Sequence, residues 1–127
     1  VKSKILYFIP LLLLVLAPGH VAAATDALDE VNAARAAHGL RPFLRDGELT
    51  RAAAGCADYR AARLLAGHTS NDFTALPSGA YATATGCAAW GPEWGWGSCC
   101  SYENWSYAGA AYTVGRDGRR YMHLFVR

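Results

Sequence analysis

The strongest limit on the fold lies in residues 26–67, where two helical periods flank a linker of a few residues, so two helices have to share one core. The stretch TDALDEVNAARAAHGL opens on Thr25 and Asp26, either of which can cap a first turn, and places Asp29 and Glu30 at the positive end of the helix. Leu28, Val31, Ala34 and Arg35 follow helical spacing, and Gly39 marks a stop. In LRPFLRDGELT, Pro42 bars the helix from continuing, and Leu40, Phe43 and Leu44 are expected to lie across the core. DGELTRAAAGCADYRAARLLAGH predicts a second helix, capped by Asp46 and ended by Gly67. Its inward stripe is read as Leu49, Ala52, Ala53, Cys56, Tyr59, Ala62 and Arg63, with His68 just past the end.

Residues 69–106 show no sustained period and hold Pro77, Pro92 and all four tryptophans. A connection this long is unusual in a compact domain and calls for crosslinks. YAGAAYTV, GRDG and RRYMHLFV then predict a strand, a turn and a strand. Met122, Leu124 and Val126 point one way and Tyr121, His123 and Phe125 the other, so both faces of the last strand are to be covered. The expected class is α+β: two N-terminal helices, an irregular disulfide-tied middle and a C-terminal β-hairpin.

The compartment follows from the start of the chain. Lys2 and Lys4 precede an apolar run from Ile5 to Ala17, which Pro18 and Gly19 break before Val21-Ala22-Ala23-Ala24. These are the three parts of a secretory signal peptide, predicted over residues 1–24, with a single domain over 25–127. A membrane span needs about 20 apolar residues, more than this run supplies, and Pro10 interrupts it. Both lysines fall in the leader, so the formal net charge of +2 belongs to it, and the domain balances its arginines against its acids. That balance argues against nucleic acid as a partner and against stable membrane insertion once the leader is removed. The expected location is secreted or periplasmic.

The four cysteines, Cys56, Cys87, Cys99 and Cys100, all lie beyond the leader. An even number in a small exported domain reads as disulfides; zinc is the rival, but its usual C-x2-4-C pairs are absent, as is a redox C-x-x-C. A bond between neighbours Cys99 and Cys100 would close a strained ring, so each is expected to pair with Cys56 or Cys87.

The blocks VNAARAAHGLRPFLRDGELTRAAAGCA, GHTS and AGAAYTVGRDGRRYMHLFV resemble the CAP superfamily, also called SCP/TAPS: cysteine-rich secretory, antigen 5 and pathogenesis-related 1 proteins. The chain looks like a short, divergent, bacterial-type member. The resemblance implies an α-β-α sandwich with a cleft in which two histidines and two acidic residues hold a divalent metal. His68 matches the first histidine. Laid on the pattern S-P-x-H-x-x-N, SCCSYENW aligns Ser98 and Asn104 and puts Ser101 where the second histidine belongs. The family's G-E-N element is not recognisable; Glu93 lies in the right region without it, and Glu103 forms a Glu-Asn pair later in the chain. No metal and no cofactor are therefore expected.

The candidate cleft residues are His68, Glu93, Ser101, Glu103 and His123. His68 also reads, and more readily, as a histidine closing a helix end, and His123 as a packed strand residue. Ser101 has no nucleophile elbow around it. Trp90, Trp94, Trp96, Tyr102, Trp105 and Tyr107 either build the core of the middle segment or stack on a sugar or lipid. The expected function is a non-catalytic binding or interaction module for a small ligand, lipid or glycan, or for an extracellular protein. The alternative is a metal-dependent or hydrolytic activity using His68 with a nearby acid.

Overall fold

The computed structural model describes residues 26–127; the predicted signal peptide, 1–24, lies outside the described residues. Helix α1 spans Ala27–Ala37. Asp26 is its cap, accepting from Asp29 N at 3.0 Å while the Asp29 carboxylate accepts from Asp26 N, a reciprocal pair that satisfies two otherwise unbonded amides. The helix buries Ala27, Leu28, Val31 and Arg35 and ends at His38, followed by Gly39 at φ +70°. Across the linker, Asn32 grips the main chain of Phe43 twice, donating to its carbonyl at 3.1 Å and accepting from its amide at 2.8 Å. Phe43 is thereby buried, as expected, but Leu44 turns outward and is 58% exposed, because it begins the two-residue strand β1, Leu44–Arg45.

Helix α2, Gly47–Arg63, is capped by Asp46, which accepts from Glu48 N at 2.9 Å and Leu49 N at 3.0 Å and holds Arg127 at 2.7 Å. It stops earlier than expected: Leu64 takes the left-handed conformation, φ 53°, and Gly67 lies beyond the end. The buried stripe is Leu49, Ala52, Ala53, Cys56, Ala57, Arg60 and Ala61. Tyr59, Ala62 and Arg63 face outward instead, since the helix rotates its small residues toward the sheet. That choice permits close approach. A Cβ on Gly109 would overlap the backbone of Leu49 and Thr50, so α2 sits directly on the strand that carries Gly109.

The sheet has the order β1-β3-β4-β2. Strands β3 (Tyr107–Val114) and β4 (Arg120–Val126) form the expected hairpin, with Ala110 opposite Leu124 and Ala111 opposite His123. Strand β2, Ala84–Trp90, lies in the segment read as irregular and pairs antiparallel with β4, Cys87 opposite His123. Side-chain alternation along β4 splits the core in two. Phe125 joins Leu49, Ala52, Ala53 and Cys56 beneath α2. Leu124 and Val126 join Leu28, Val31, Phe43, Cys100, Ala108 and Ala110 beneath α1, with Trp96 and Trp105 packed on the edge. Helix, sheet, and helix with loop make three layers, an α-β-α sandwich of the α+β class.

Two buried arginines fasten the irregular segments. Arg35 lies over the Phe43 ring, 3.7 Å from its centroid, and donates to the carbonyls of Arg41 (2.7 Å), Ser101 (2.7 Å) and Glu103 (2.8 Å). Arg60 donates to Gly67 (3.1 Å), Met122 (2.8 Å), Ala88 (3.4 Å) and Ala66. A guanidinium offers five N–H groups in one plane, which suits it to gathering carbonyls that loops leave unpaired.

The cysteines stand as four thiols. Cys56 is buried on the α2 face and Cys100 in the core under α1, so a bond between Cys100 and Cys56 would have to pass the sheet. That separation speaks against the expected pairing of Cys100 with Cys56, whereas Cys99 is exposed at the sheet margin. The Cys99 and Cys100 sulfurs are 3.6 Å apart, and Cys99 Sγ lies 3.9 Å from the Thr85 carbonyl at the β2 edge. Of the tryptophans, Trp96 donates to Glu30 at 2.8 Å and Trp90 to the Gly95 carbonyl at 2.8 Å, whereas Trp94 is 72% exposed. Among the described residues no helix is long and apolar enough to cross a membrane.

Candidate functional site

The chain leaves α2, turns through Gly67, and enters a 3-10 turn, Asp72–Ala75, that folds back against the helix. This return places His68 and Asp72 together. His68 Nδ1 donates to Asp72 Oδ2 at 2.7 Å, and Thr69 Oγ1 donates to Asp72 Oδ1 at 3.0 Å, so both carboxylate oxygens are held. Beneath them, β4 supplies His123 through its α2-facing side, with Nε2 3.9 Å from Asp72 Oδ2 and the ring edge-on to His68 at 6.1 Å between centroids. Cys56, from the middle of α2, donates its thiol proton to the Asp72 carbonyl at 3.5 Å.

Exposure divides these groups. The His68 side chain is 49% exposed, while His123, Asp72 and Cys56 are buried. Burial pushes the His123 pKa down to about 4, against the opposing pull of the Asp72 carboxylate, so the ring is neutral at physiological pH. Burial also opposes ionisation of Asp72, but the His68 hydrogen bond, the His123 ring and Thr69 outweigh it and hold its pKa below the ordinary carboxylate value. The Cys56 thiol is pushed up to about 11 by burial, and further by the Asp72 charge. Thr85 completes the surroundings: its Oγ1 lies 2.8 Å from His123 Nε2 and 3.0 Å from the Leu124 carbonyl. A hydroxyl has one proton; when Thr85 gives it to Leu124, His123 Nε2–H donates to Thr85. Nδ1 of His123 has no partner.

Two grooves reach this cluster. One, of ≈ 290 Å³, is lined by His68, Thr69, Asp72, Phe73 and Thr85. The other, of ≈ 390 Å³, runs between α2 and the 3-10 turn past Cys56, Tyr59, Asn71 and Asp72.

Of the five residues expected in a cleft, the structure brings His68 and His123 together. Ser101 is buried elsewhere, its hydroxyl donating to the Gly97 carbonyl at 2.7 Å, beside Met122 and Leu124 on the α1 face. Glu103 accepts from the Trp105 indole at 3.1 Å and is exposed. Glu93 is exposed on the 3-10 turn Pro92–Trp94 and folds its carboxylate over Gly91. The acid that joins His68 is Asp72, which sequence reasoning missed. Its signal was the four-residue spacing in HTSND, which puts His68, Thr69 and Asp72 on one side of a single turn.

A search among curated proteins finds no match to the chain. The family model described as CAP, the cysteine-rich secretory protein family, matches residues 28–124. That span takes in both helices, the turn bearing His68 and Asp72, strand β2 and most of the closing hairpin. The chain therefore belongs to the CAP, or cysteine-rich secretory protein, family.

Proposed function

We propose that the chain acts as an exported CAP-type binding module, secreted or periplasmic, that takes a small ligand such as a lipid or glycan, or an extracellular protein, and does not catalyse a reaction. The observation that carries this reading is the position of Ser101, the residue standing where the family pattern has its second histidine. It is buried under α1, while His68 opens on the α2 side. Ser101 thus does not face His68, the histidine that does, His123, is buried, and His68 opens on the groove of ≈ 290 Å³ lined by Phe73, beside one of ≈ 390 Å³ lined by Tyr59, Asn71 and Thr74. The larger is within the range of small-ligand pockets, about 300–1,000 Å³, and mixes aromatic faces with amide and hydroxyl groups, as sugar and lipid-headgroup sites do.

The competing reading is a hydrolytic or metal-dependent activity through His68, and the His68–Asp72 bond favours it, since a carboxylate behind an imidazole orients a general base. Against that reading, the two hydroxyls in the groove beside His68, of Thr69 and Thr85, already donate to Asp72 and to the Leu124 carbonyl. Titrating the mature chain with phospholipid micelles and with oligosaccharides, while following amide signals of residues 55–75 by NMR and assaying ester and glycoside turnover, separates the two. Saturable shifts around Tyr59 and Asn71 without turnover support binding. Turnover abolished by His68→Ala overturns it. Export is tested by recovering the native protein outside the cytoplasm with its N-terminus near Thr25; an intact 1–24 segment in the mature protein removes that part of the proposal.

A further inference from the structure

We infer that Cys56, Asp72 and His123 form a binding site for a borderline transition-metal dication, with zinc the best match. This goes beyond the binding-module reading and does not depend on it. It also reverses the expectation, drawn from Ser101 and the missing G-E-N, that the chain holds no metal. The ligand set is a different one: it uses neither Ser101, Glu93 nor Glu103, and it contains a sulfur.

The argument starts from geometry. One ligand atom from each of the three residues lies within 4.8 Å of the others, and all three residues are buried. Around a tetrahedral zinc, with bonds of about 2.0–2.3 Å, neighbouring ligand atoms stand about 3.3–3.8 Å apart. The Asp72–His123 pair, at 3.9 Å, is nearly there, and the widest pair needs to contract by about 1 Å. One sulfur, one nitrogen and one oxygen are the donor types that zinc accepts together, and calcium or magnesium would want oxygens throughout.

The chemistry of each donor agrees. His123 is neutral and so has a lone pair to give; for Nε2, the nitrogen 3.9 Å from Asp72, to give it, the ring proton moves to Nδ1, which is buried with no hydrogen-bond partner. Thr85, which meets Nε2 in the metal-free protein, keeps its hydrogen bond to the Leu124 carbonyl when a metal takes that nitrogen. Asp72 is ionised and braced by His68 and Thr69. Cys56 is the one donor that has to change state: a metal–sulfur bond forms as the S–H bond breaks, and the proton leaves to solvent. The hydrogen bond from Cys56 to the Asp72 carbonyl is lost in that step. Both grooves end at Asp72, so the 3-10 turn over the cluster is the entry path, and three protein ligands leave a fourth position for water. His68 acts here through Asp72, as a positioning residue.

The test is cobalt loading of the mature, full chain after thiol titration, read by absorption. One equivalent of Co(II) giving a near-ultraviolet thiolate-to-cobalt band that Zn(II) displaces is the expected result. Cys56→Ser should abolish the band and weaken zinc binding at least about tenfold, while the melting temperature of the metal-free variant stays near that of the parent. His123→Gln, tested in parallel, should weaken zinc binding to a similar extent, and a chain with Cys87, Cys99 and Cys100 all changed to Ser should keep the band. Three results overturn the site: a band that survives in Cys56→Ser, cobalt binding without any thiolate band, or a native protein whose Cys56 is mapped in a disulfide.

Discussion

The two faces of the sheet are covered in opposite ways. Under α2 the contact is regular: a helix presents Ala52, Ala53, Ala57 and Ala61 to the sheet and approaches until Gly109 touches its backbone. Under α1 the cover is composite: eleven helical residues and a loop, with Trp96 and Trp105 filling the margin and Arg35 collecting the loop carbonyls. The first face is specified by what is missing, side-chain bulk. The second is specified by what is supplied, a single charged fork. The first tolerates no added atom, and the second should tolerate added volume but not the loss of one guanidinium.

The sharpest way to break that contrast is Gly109→Ala. The added methyl meets the α2 backbone, which cannot swing aside as a side chain could, so the loss should reach about 3 kcal/mol or more and show as a large fall in the urea midpoint. A variant that melts within a degree or two of the parent would mean that α2 rides higher on the sheet than described here.

Arg35→Met tests the other face. The aliphatic stem is kept while three carbonyls lose their donors, so about 2–3 kcal/mol should be lost. Hydrogen exchange should accelerate across residues 97–105 and leave α2 protected. Uniform acceleration would show that Arg35 acts on the whole core and not on the loop.

The helix caps are a smaller lever. Asp46→Ala should cost about 1 kcal/mol. Hydrogen bonds from the Leu49 and Glu48 amides and from Arg127 hold the Asp46 pKa below the ordinary carboxylate value despite burial. Its folded pKa is depressed, so its contribution is full above the unfolded value of about 3.9 and is lost as pH falls through the lower folded value. In Asp46→Asn, stability between pH 4 and 2 should fall less steeply than in the parent; an unchanged slope would assign the acid response to other groups. The smallest effect belongs to Cys99→Ser. Its side chain is exposed at the sheet margin, and the change should stay within about 0.5 kcal/mol. A larger loss in protein from an oxidising host would reveal a disulfide through Cys99.

How much of this could be read beforehand differs between the faces too. Both helices, their caps Asp26 and Asp46, and the β3–β4 hairpin follow from periodicity and turn chemistry, and the structure has them where expected except that α2 ends at Arg63, short of Gly67. Strand β2 was not legible, because ATGCAAW alternates neither size nor polarity; its register with β4 comes from the neighbour and not from its own sequence. Arg60 is missing from the inward stripe read for α2, since no local rule predicts a buried arginine whose partners are carbonyls sixty-two and twenty-eight residues away in Met122 and Ala88. In the candidate site, His68 and His123 were named and do meet, whereas Asp72 and Thr85 were not. The missing members sit in a short turn and on the unread strand, where periodicity has nothing to report.

The buried arginines have one more consequence. Among the described residues, the ion pairs involve neither Arg35 nor Arg60, and every hydrogen bond these two side chains make goes to a main-chain carbonyl. Carbonyls do not titrate, so acid has no handle on either tether. In a vinegar-sour medium the molecule should come undone from its helix starts, where Asp26 and Asp46 surrender their grip, while the loops stay moored until the layers themselves part.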